Sequence, residues 1–423
     1  KIIFNMTKLS HLAENLVGSE IVKLGNEISA RVKAGEKIYN YTIGDFNPEI
    51  FPIPELMEEL IIESYKEKHT NYPAAQGVLE LREAVSHFAK KWNNLDYSPA
   101  EILIASGGRP LIYGLFAILV DEGDNVIYAV PSWNNNHYTN LNKGNHCVIE
   151  ATAENNFMPT AAEVEPYIKG ATLLCLCTPQ NPTGTTLEKE ALENICRLVI
   201  EENKRRGPEE KKLYVMFDQM YFTLTYGKTK HYNPVSLFPE MKEVTIFISG
   251  ISKAFAATGV RVGWSFGPEK LIAKMRSLLT HMGTWAPMAE QKALAKFLVE
   301  DDYITDFFTQ FKSALSGRLE KIYDGFIQLK NKGYAVDAII PQAAIYLTVK
   351  LDLMGKKSGD KKLETQRDVT AYILDEAKLA VVPFYAFGAD EHSPWYRLSV
   401  GTCRLEHLEG LFSKLEEALA KLT

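Results

Sequence analysis

The sequence predicts an α/β protein: a mostly parallel sheet of seven strands with helices on both faces, joined to a smaller α+β domain. Three observations predict it. From about Glu101 to Gly267, short apolar runs alternate with longer amphipathic ones, as strands linked by crossover helices do. The runs are apolar at nearly every position, as strands buried on both faces must be. Past residue 300 the alternation stops, and one long helical stretch precedes scattered short strands.

In chain order, the amphipathic pattern Glu20–Ala34 predicts a helix that joins the small domain. That domain is then discontinuous, made of residues 1–50 and 301–423 around a large domain at 51–300. The seven predicted strands are Ile102–Ala105, Asn125–Val130, Cys147–Ala151, Thr172–Cys177, Leu213–Asp218, Val244–Ser249 and Val262–Phe266. Helical patterns at Leu111–Val120 and Lys189–Arg205 lie between them, with Pro110 placed at a first helical position. The last third predicts a helix over Asp302–Lys332, a strand over Ala343–Leu351 and a helix over Glu364–Ala377. Short strands follow at Val381–Pro383 and Tyr396–Val400. The polar stretches Lys204–Lys212 and Gly355–Lys362 are expected as loops.

Composition excludes several classes. The chain is 46% hydrophobic and 24% charged, ordinary values for a globular protein. A net charge of −6 leaves no basic footprint for nucleic acid, and no apolar run approaches the length of a membrane span. Lys1-Ile-Ile-Phe-Asn-Met6 lacks a full signal-peptide core and cleavage site, so cytoplasmic residence is the expectation. The five cysteines do not make a disulfide framework. Cys175 and Cys177 alternate in an apolar run without a second ligand pair, so they are expected to be structural strand thiols rather than half of a metal site.

The most informative stretch is Ser249-Gly-Ile-Ser-Lys253-Ala-Phe-Ala-Ala-Thr-Gly259-Val-Arg261-Val-Gly263. A lysine among small residues, near a second cation, loses its proton readily and can form a Schiff base with a flat aldehyde cofactor. Arg261 can pair with that cofactor's phosphate. Asp218 closes an apolar strand, where a carboxylate can hold a pyridine nitrogen protonated; a cap or solvated turn carboxylate is the alternative. Tyr221 follows three residues later. Asn181 lies in the turn Thr178-Pro-Gln-Asn-Pro-Thr-Gly184, either as an amide donor or as a plain loop residue. Ser106-Gly107-Gly108-Arg109 enters a helix whose N–H groups can bind phosphate, although a tight turn needs nothing more. Trp133 can stack on a flat ligand or fill the core. Arg397 can clamp a carboxylate with two parallel hydrogen bonds or sit on a strand surface.

Taken in this order, these segments resemble the class I/II aminotransferases, enzymes of pyridoxal-phosphate fold type I, over about Val22 to Leu419. The lysine segment matches that family's attachment pattern from Gly250 to Gly263. The resemblance implies that Lys253 carries pyridoxal 5'-phosphate as a Schiff base and moves the substrate α-proton. It implies that Asp218 pairs with the ring nitrogen, that Tyr221 and Asn181 bond the phenolic oxygen, and that Trp133 stacks on the ring. Gly107, Gly108, Arg109 and Arg261 would surround the phosphate, the first three mostly through backbone; where Gly250 stands the family often has a phosphate-binding serine or threonine, so either Ser249 or Ser252 replaces it or that contact is lost. Arg397, with Asn181 and the backbone of Gly44, would bind the α-carboxylate. Tyr72 would reach the phosphate of a second subunit, which implies a homodimer with shared sites; by its own segment alone it reads as a surface tyrosine before a Pro-Ala turn.

The implied activity is transfer of an amino group from an L-amino acid to a 2-oxo acid. Arg109 adds an expectation of acidic substrates such as aspartate or glutamate, since its position matches a lysine that receives the distal carboxylate in some prokaryotic aspartate aminotransferases. Its alternative is a solvent or interface position. The pocket wall departs from the family at Ala343-Ala-Ile-Tyr346 and Pro383-Phe-Tyr385. Two other readings stand beside transamination. One is a carbon–sulfur lyase, decarboxylase or racemase on the same fold; the other is a non-catalytic regulator, which would usually carry a DNA-binding segment for which this sequence leaves no room.

Overall fold

The computed structural model describes residues 9–14, 16, 18 and 20–423; the Lys1–Met6 segment lies outside them. The seven strands form one sheet: β1 (Ile102–Ala105), β2 (Asn125–Val130), β3 (Asn145–Glu150), β4 (Ala171–Cys177), β5 (Tyr214–Asp218), β6 (Thr245–Gly250) and β7 (Gly263–Phe266). Their spatial order is β1-β7-β6-β5-β4-β2-β3. All neighbours are parallel except β7, which runs antiparallel to both β1 and β6. The predicted fold class is the one observed.

Period-two alternation along these strands separates two apolar layers. Ile104, Ile127, Leu174, Phe217 and Phe247 enter one cluster. Leu103, Val126, Cys175, Met216 and Ile246 enter the other. Both faces are therefore covered, which is why the strands are apolar almost throughout. The helix Lys189–Arg205 buries Leu192, Ile195, Cys196 and Val199 along one stripe. At its end Glu202 is buried but paired with Arg205 and Arg206.

A second core lies in the C-terminal third, around the antiparallel sheet β10-β11-β9-β8. Its strands are β8 (Val336–Ala338), β9 (Tyr346–Leu351), β10 (Val382–Pro383) and β11 (Trp395–Ser399). The 31-residue helix Asp301–Asn331 serves both cores. Ile304 and Phe308 pack into the first, and Phe311 through Leu329 into the second. The helix Glu20–Lys33 packs Ile28 against Leu374 and Ala380, and Arg31 pairs with Asp375.

Three local expectations are corrected. The helix predicted from Leu111 begins at Gly108, so Pro110 is its third residue rather than its first. Pro110 still loses nothing there, because first-turn N–H groups have no helical partner. The strand predicted from Ala343 begins at Tyr346, because Ala344 adopts a left-handed φ of 60° and bonds Leu224. Gly355–Lys362 is not all loop: Lys357–Ser358 and Lys361–Lys362 pair as a small hairpin.

Candidate active site

The carboxyl ends of the parallel strands open on a cavity of about 420 Å³, the crevice such sheets offer to ligands. Three glycines pack tightly beside it. A Cβ on Gly250 would meet Gly263 Cα at 2.9 Å, and one on Gly263 would meet the Gly107 carbonyl carbon at 2.6 Å. A Cβ on Gly107 would strike the Arg261 guanidinium. Backbone thus packs on backbone from β6 through β7 to the turn after β1. This explains why no serine or threonine stands at position 250. Of the two expected substitutes, Ser252 lines the cavity, whereas the Ser249 hydroxyl is enclosed with no hydrogen-bond partner among the described residues.

Arg261 holds a left-handed φ of 62°. It donates to Thr258 O at 2.7 Å and Ser106 O at 2.9 Å, which fixes the guanidinium beside the turn at Gly107. Gly108 starts the 12-residue helix Gly108–Leu119, so free N–H groups and Arg261 converge at this end of the cavity.

Lys253 lies in the one-turn helix Ile251–Ala254 directly after β6. Its Nζ donates to Gly44 O and stands 5.5 Å from the Phe46 ring. Burial pushes its pKa down to about 8, aided by Arg397, Arg109 and Arg261 and opposed by Asp45. Burial likewise pushes the Asp218 carboxyl up to about 6, opposed by the N–H of Met220, which donates to Oδ1 at 3.0 Å. Among the described residues no hydrogen bond engages Asp218 Oδ2, which leaves that oxygen for a ligand.

Arg397 is 1% exposed on the central strand β11. It donates to Asn181 Oδ1 at 3.0 Å and to Thr42 O at 2.6 Å, while its Nε has no partner among the described residues. Because Asn181 accepts with its oxygen, its amide N–H groups remain to donate. Gly44 packs so closely that a Cβ would lie 2.9 Å from Tyr346 Oη and 3.5 Å from Arg397. Tyr221 Oη and Tyr346 Oη are 2.6 Å apart, and burial raises both phenols above their ordinary range.

Trp133 is half-buried on the cavity wall, with the Arg109 guanidinium 5.3 Å from its ring centroid. Arg109 is exposed and lines the same cavity, rather than pointing away from it. Tyr72 lies outside this cavity, 82% exposed and edge-on to Trp285. Cys175 is buried in β4, but Cys177 lines the cavity instead of the core, its thiol raised by burial and by Asp218.

Sequence reasoning missed three contributors. Thr258 donates to Asp45 Oδ1 at 2.6 Å, and both line the cavity. Their neighbours Lys253, Arg261 and Gly44 were the available signal. Tyr346 reads in the sequence only as a pocket-wall residue, with nothing local to reveal its contact with Tyr221. No group of three or more His, Cys, Asp or Glu among the described residues is placed to hold a metal. No described helix is long and apolar enough to cross a membrane.

Residues 37–415 match the family described as aminotransferase class I and II. A probable aspartate/prephenate aminotransferase of Rickettsia felis is 30% identical over 397 residues, covering 92% of this chain and 91% of that protein. The aspartate aminotransferase of Rhizobium meliloti shares the fold, with a TM-score of 0.89 at 24% identity over 99% of this chain and all of that one. The Thermus thermophilus aspartate aminotransferase with maleate aligns at a TM-score of 0.85 and 25% identity, covering 98% of this chain and 100% of that one. Both the family match and the Rickettsia relative span most of the chain, and on that footing it belongs to the class I and II aminotransferases and is itself an aminotransferase.

Proposed function

We propose that this aminotransferase holds pyridoxal 5'-phosphate on Lys253 and takes a dicarboxylic amino acid, such as aspartate or glutamate, as a substrate. The observation that carries this reading is one cavity gathering a desolvated lysine, a buried carboxyl, a fixed guanidinium at a helix start and a buried arginine. These groups fit the cofactor. A carboxyl that burial has lifted to about 6 regains its charge beside a cationic ring nitrogen. Arg261 and the N–H groups at Gly108 supply the positive end a phosphate needs. Tyr221 and the Asn181 amide are the donors for the phenolic oxygen, Ser252 adds a hydroxyl at the phosphate end, and Trp133 offers its ring face.

When bound, pyridoxal phosphate supplies a ring that accepts the electron pair left as the substrate C–H bond breaks. Arg397 grips the α-carboxylate and holds the α-carbon near Lys253, which favours C–H cleavage over loss of the carboxylate. Lys253 Nζ, lowered to about 8, gives up its proton far more readily than an ordinary lysine and can take the α-proton and return it. Tyr346 can donate to Tyr221, which leaves the Tyr221 proton free to point at the cofactor oxygen.

Arg109 on the cavity wall supports the acidic-substrate reading, as does the dicarboxylate maleate with which the Thermus relative was solved. The test is a half-reaction with one amino acid and no oxo acid. Aspartate or glutamate should convert the cofactor to its amine form and release the matching 2-oxo acid without free ammonia. Ammonia release would point to another pyridoxal-phosphate chemistry. Arg109→Ala should raise KM for the dicarboxylic substrates about tenfold or more and leave alanine nearly unchanged, the loss of one charged hydrogen-bonded pair. Equal effects on both substrates would refute the role of Arg109.

The exposure of Tyr72 supports a homodimer in which this tyrosine completes the partner's phosphate site. Sedimentation should give twice the 47.6 kDa chain mass. A monomer with full activity would exclude a shared site.

A further inference from the structure

Residues 42–46 run past three cationic groups of the active site and engage each of them, directly or through Thr258. Thr42 O accepts from Arg397 Nη2 at 2.6 Å, and Gly44 O accepts from Lys253 Nζ. Asp45 Oδ1 accepts from Thr258 Oγ1 at 2.6 Å, and Thr258 O in turn accepts from Arg261 Nη1 at 2.7 Å. Both ends of this strip are pinned beside the strand that carries Arg397. Ser399 N donates to Tyr41 O at 2.9 Å, and Asn47 N donates to Gly401 O at 2.9 Å. Gly401 packs so closely that a Cβ there would strike Asp45 O.

Asp45 supplies the carboxylate of this strip. It is half-buried, lines the cavity and also takes the Phe46 N–H at 2.8 Å, so its Oδ1 is held from two sides. Of the charges that act most strongly on Lys253, that of Asp45 is the largest and the only one that favours the ammonium; Arg397, Arg109 and Arg261 oppose it. The cavity also carries Asp218, whose carboxyl burial lifts to about 6, and Cys177, Tyr221 and Tyr346, which burial holds neutral.

A group that takes a proton and gives it back works best with a proton affinity near the working pH. Burial and three arginines all push Lys253 toward an amine that holds a proton poorly. A fixed carboxylate acts against them, because an opposite charge nearby favours the charged form.

We propose that Asp45, clamped by Thr258, is a positioning residue for transamination, keeping Lys253 able to hold the α-proton between its removal and its return. This role rests on the reading of Lys253 as the proton carrier.

Trace labelling of the cofactor-free chain with acetic anhydride across a pH range, with the Lys253 peptide counted by mass spectrometry, titrates this amine directly. The parent midpoint should lie near 8. Asp45→Asn keeps an acceptor for Thr258 and Phe46 but loses the charge, and should lower the midpoint by roughly one unit. Asp45→Glu keeps the charge and should restore most of that loss. Thr258→Val frees the carboxylate to turn toward water; it should lower the midpoint by less, and it carries the test if Asp45→Asn fails to fold. The pH-dependent absorbance of the loaded protein should move in the same direction in each variant. A parent midpoint near the ordinary 10.5 would refute the reading of Lys253 itself. A parent midpoint near 8 that these substitutions leave unmoved, or a shift that Asp45→Glu does not correct, would overturn the role of Asp45 alone.

Discussion

Lys253→Ala should fold normally and lose transamination by at least about 10²–10⁴-fold, the usual worth of a positioned acid–base group. The side chain removed is a desolvated lysine that lines the cavity and is not part of the apolar core, so the melting temperature should move little. The cofactor gives a readout independent of turnover. The loaded parent protein should show a visible absorbance band that changes with pH, because the covalent link to Lys253 gains and loses a proton. In Lys253→Ala that pH-dependent band should vanish. An unchanged spectrum would refute the assignment of this lysine, whatever the rates show.

Asp218→Asn should stabilise the cofactor-free protein and disable the loaded one. The Asp218 carboxyl moves from an ordinary 3.8 to about 6 on folding. A raised pKa means the folded chain binds the proton more tightly than the unfolded one. Stability from this group is therefore complete below about pH 4 and declines as pH rises to about 6. The cost at neutral pH is on the order of 3 kcal/mol, from about 1.4 kcal/mol per unit. Asparagine carries no such cost and keeps an oxygen for the Met220 N–H. The stability difference between the two cofactor-free proteins should thus grow from near zero at pH 4 to its full value by pH 7, read by denaturant unfolding. With cofactor bound, the amide cannot hold a ring nitrogen protonated, and turnover should fall by roughly 10²-fold or more. A pH-independent stability difference would show that Asp218 is not desolvated as described.

Much of the fold was legible because burial on both faces leaves a plain mark. The strands Ile102–Ala105 and Asn125–Val130 and the helix Lys189–Arg205 are observed with their predicted bounds. The misses have local causes. Gly107, at a left-handed φ of 98°, lets the next helix begin three residues early. Gly359 and Asp360 form the two-residue turn of a hairpin, a signal hidden by the charge around it. Ala344 leaves the strand because its N–H answers Leu224, a partner 120 positions away. The site divides the same way. Lys253, Asp218, Asn181 and Arg397 each carry a mark in their own segment, and the structure brings them to one cavity. The Tyr221–Tyr346 contact joins residues 125 positions apart, one in the turn after β5 and the other at the start of β9, and no local pattern encodes it.

The stacked glycines at positions 107, 263 and 250 divide the site into parts with different freedom to evolve. A methyl group at 250 or 263 would force backbone apart where there is no side chain to yield, a cost of about 1–3 kcal/mol or more. On the proposed reading the cofactor's phosphate sits there, so a change would be felt by every substrate alike. Arg109, by contrast, is an exposed side chain at a partly open wall, which can be exchanged without moving a strand. New substrate preferences can therefore arise by drift on that wall while the cofactor end stays as it is, and a mutant library aimed at altered specificity should vary the first and spare the second.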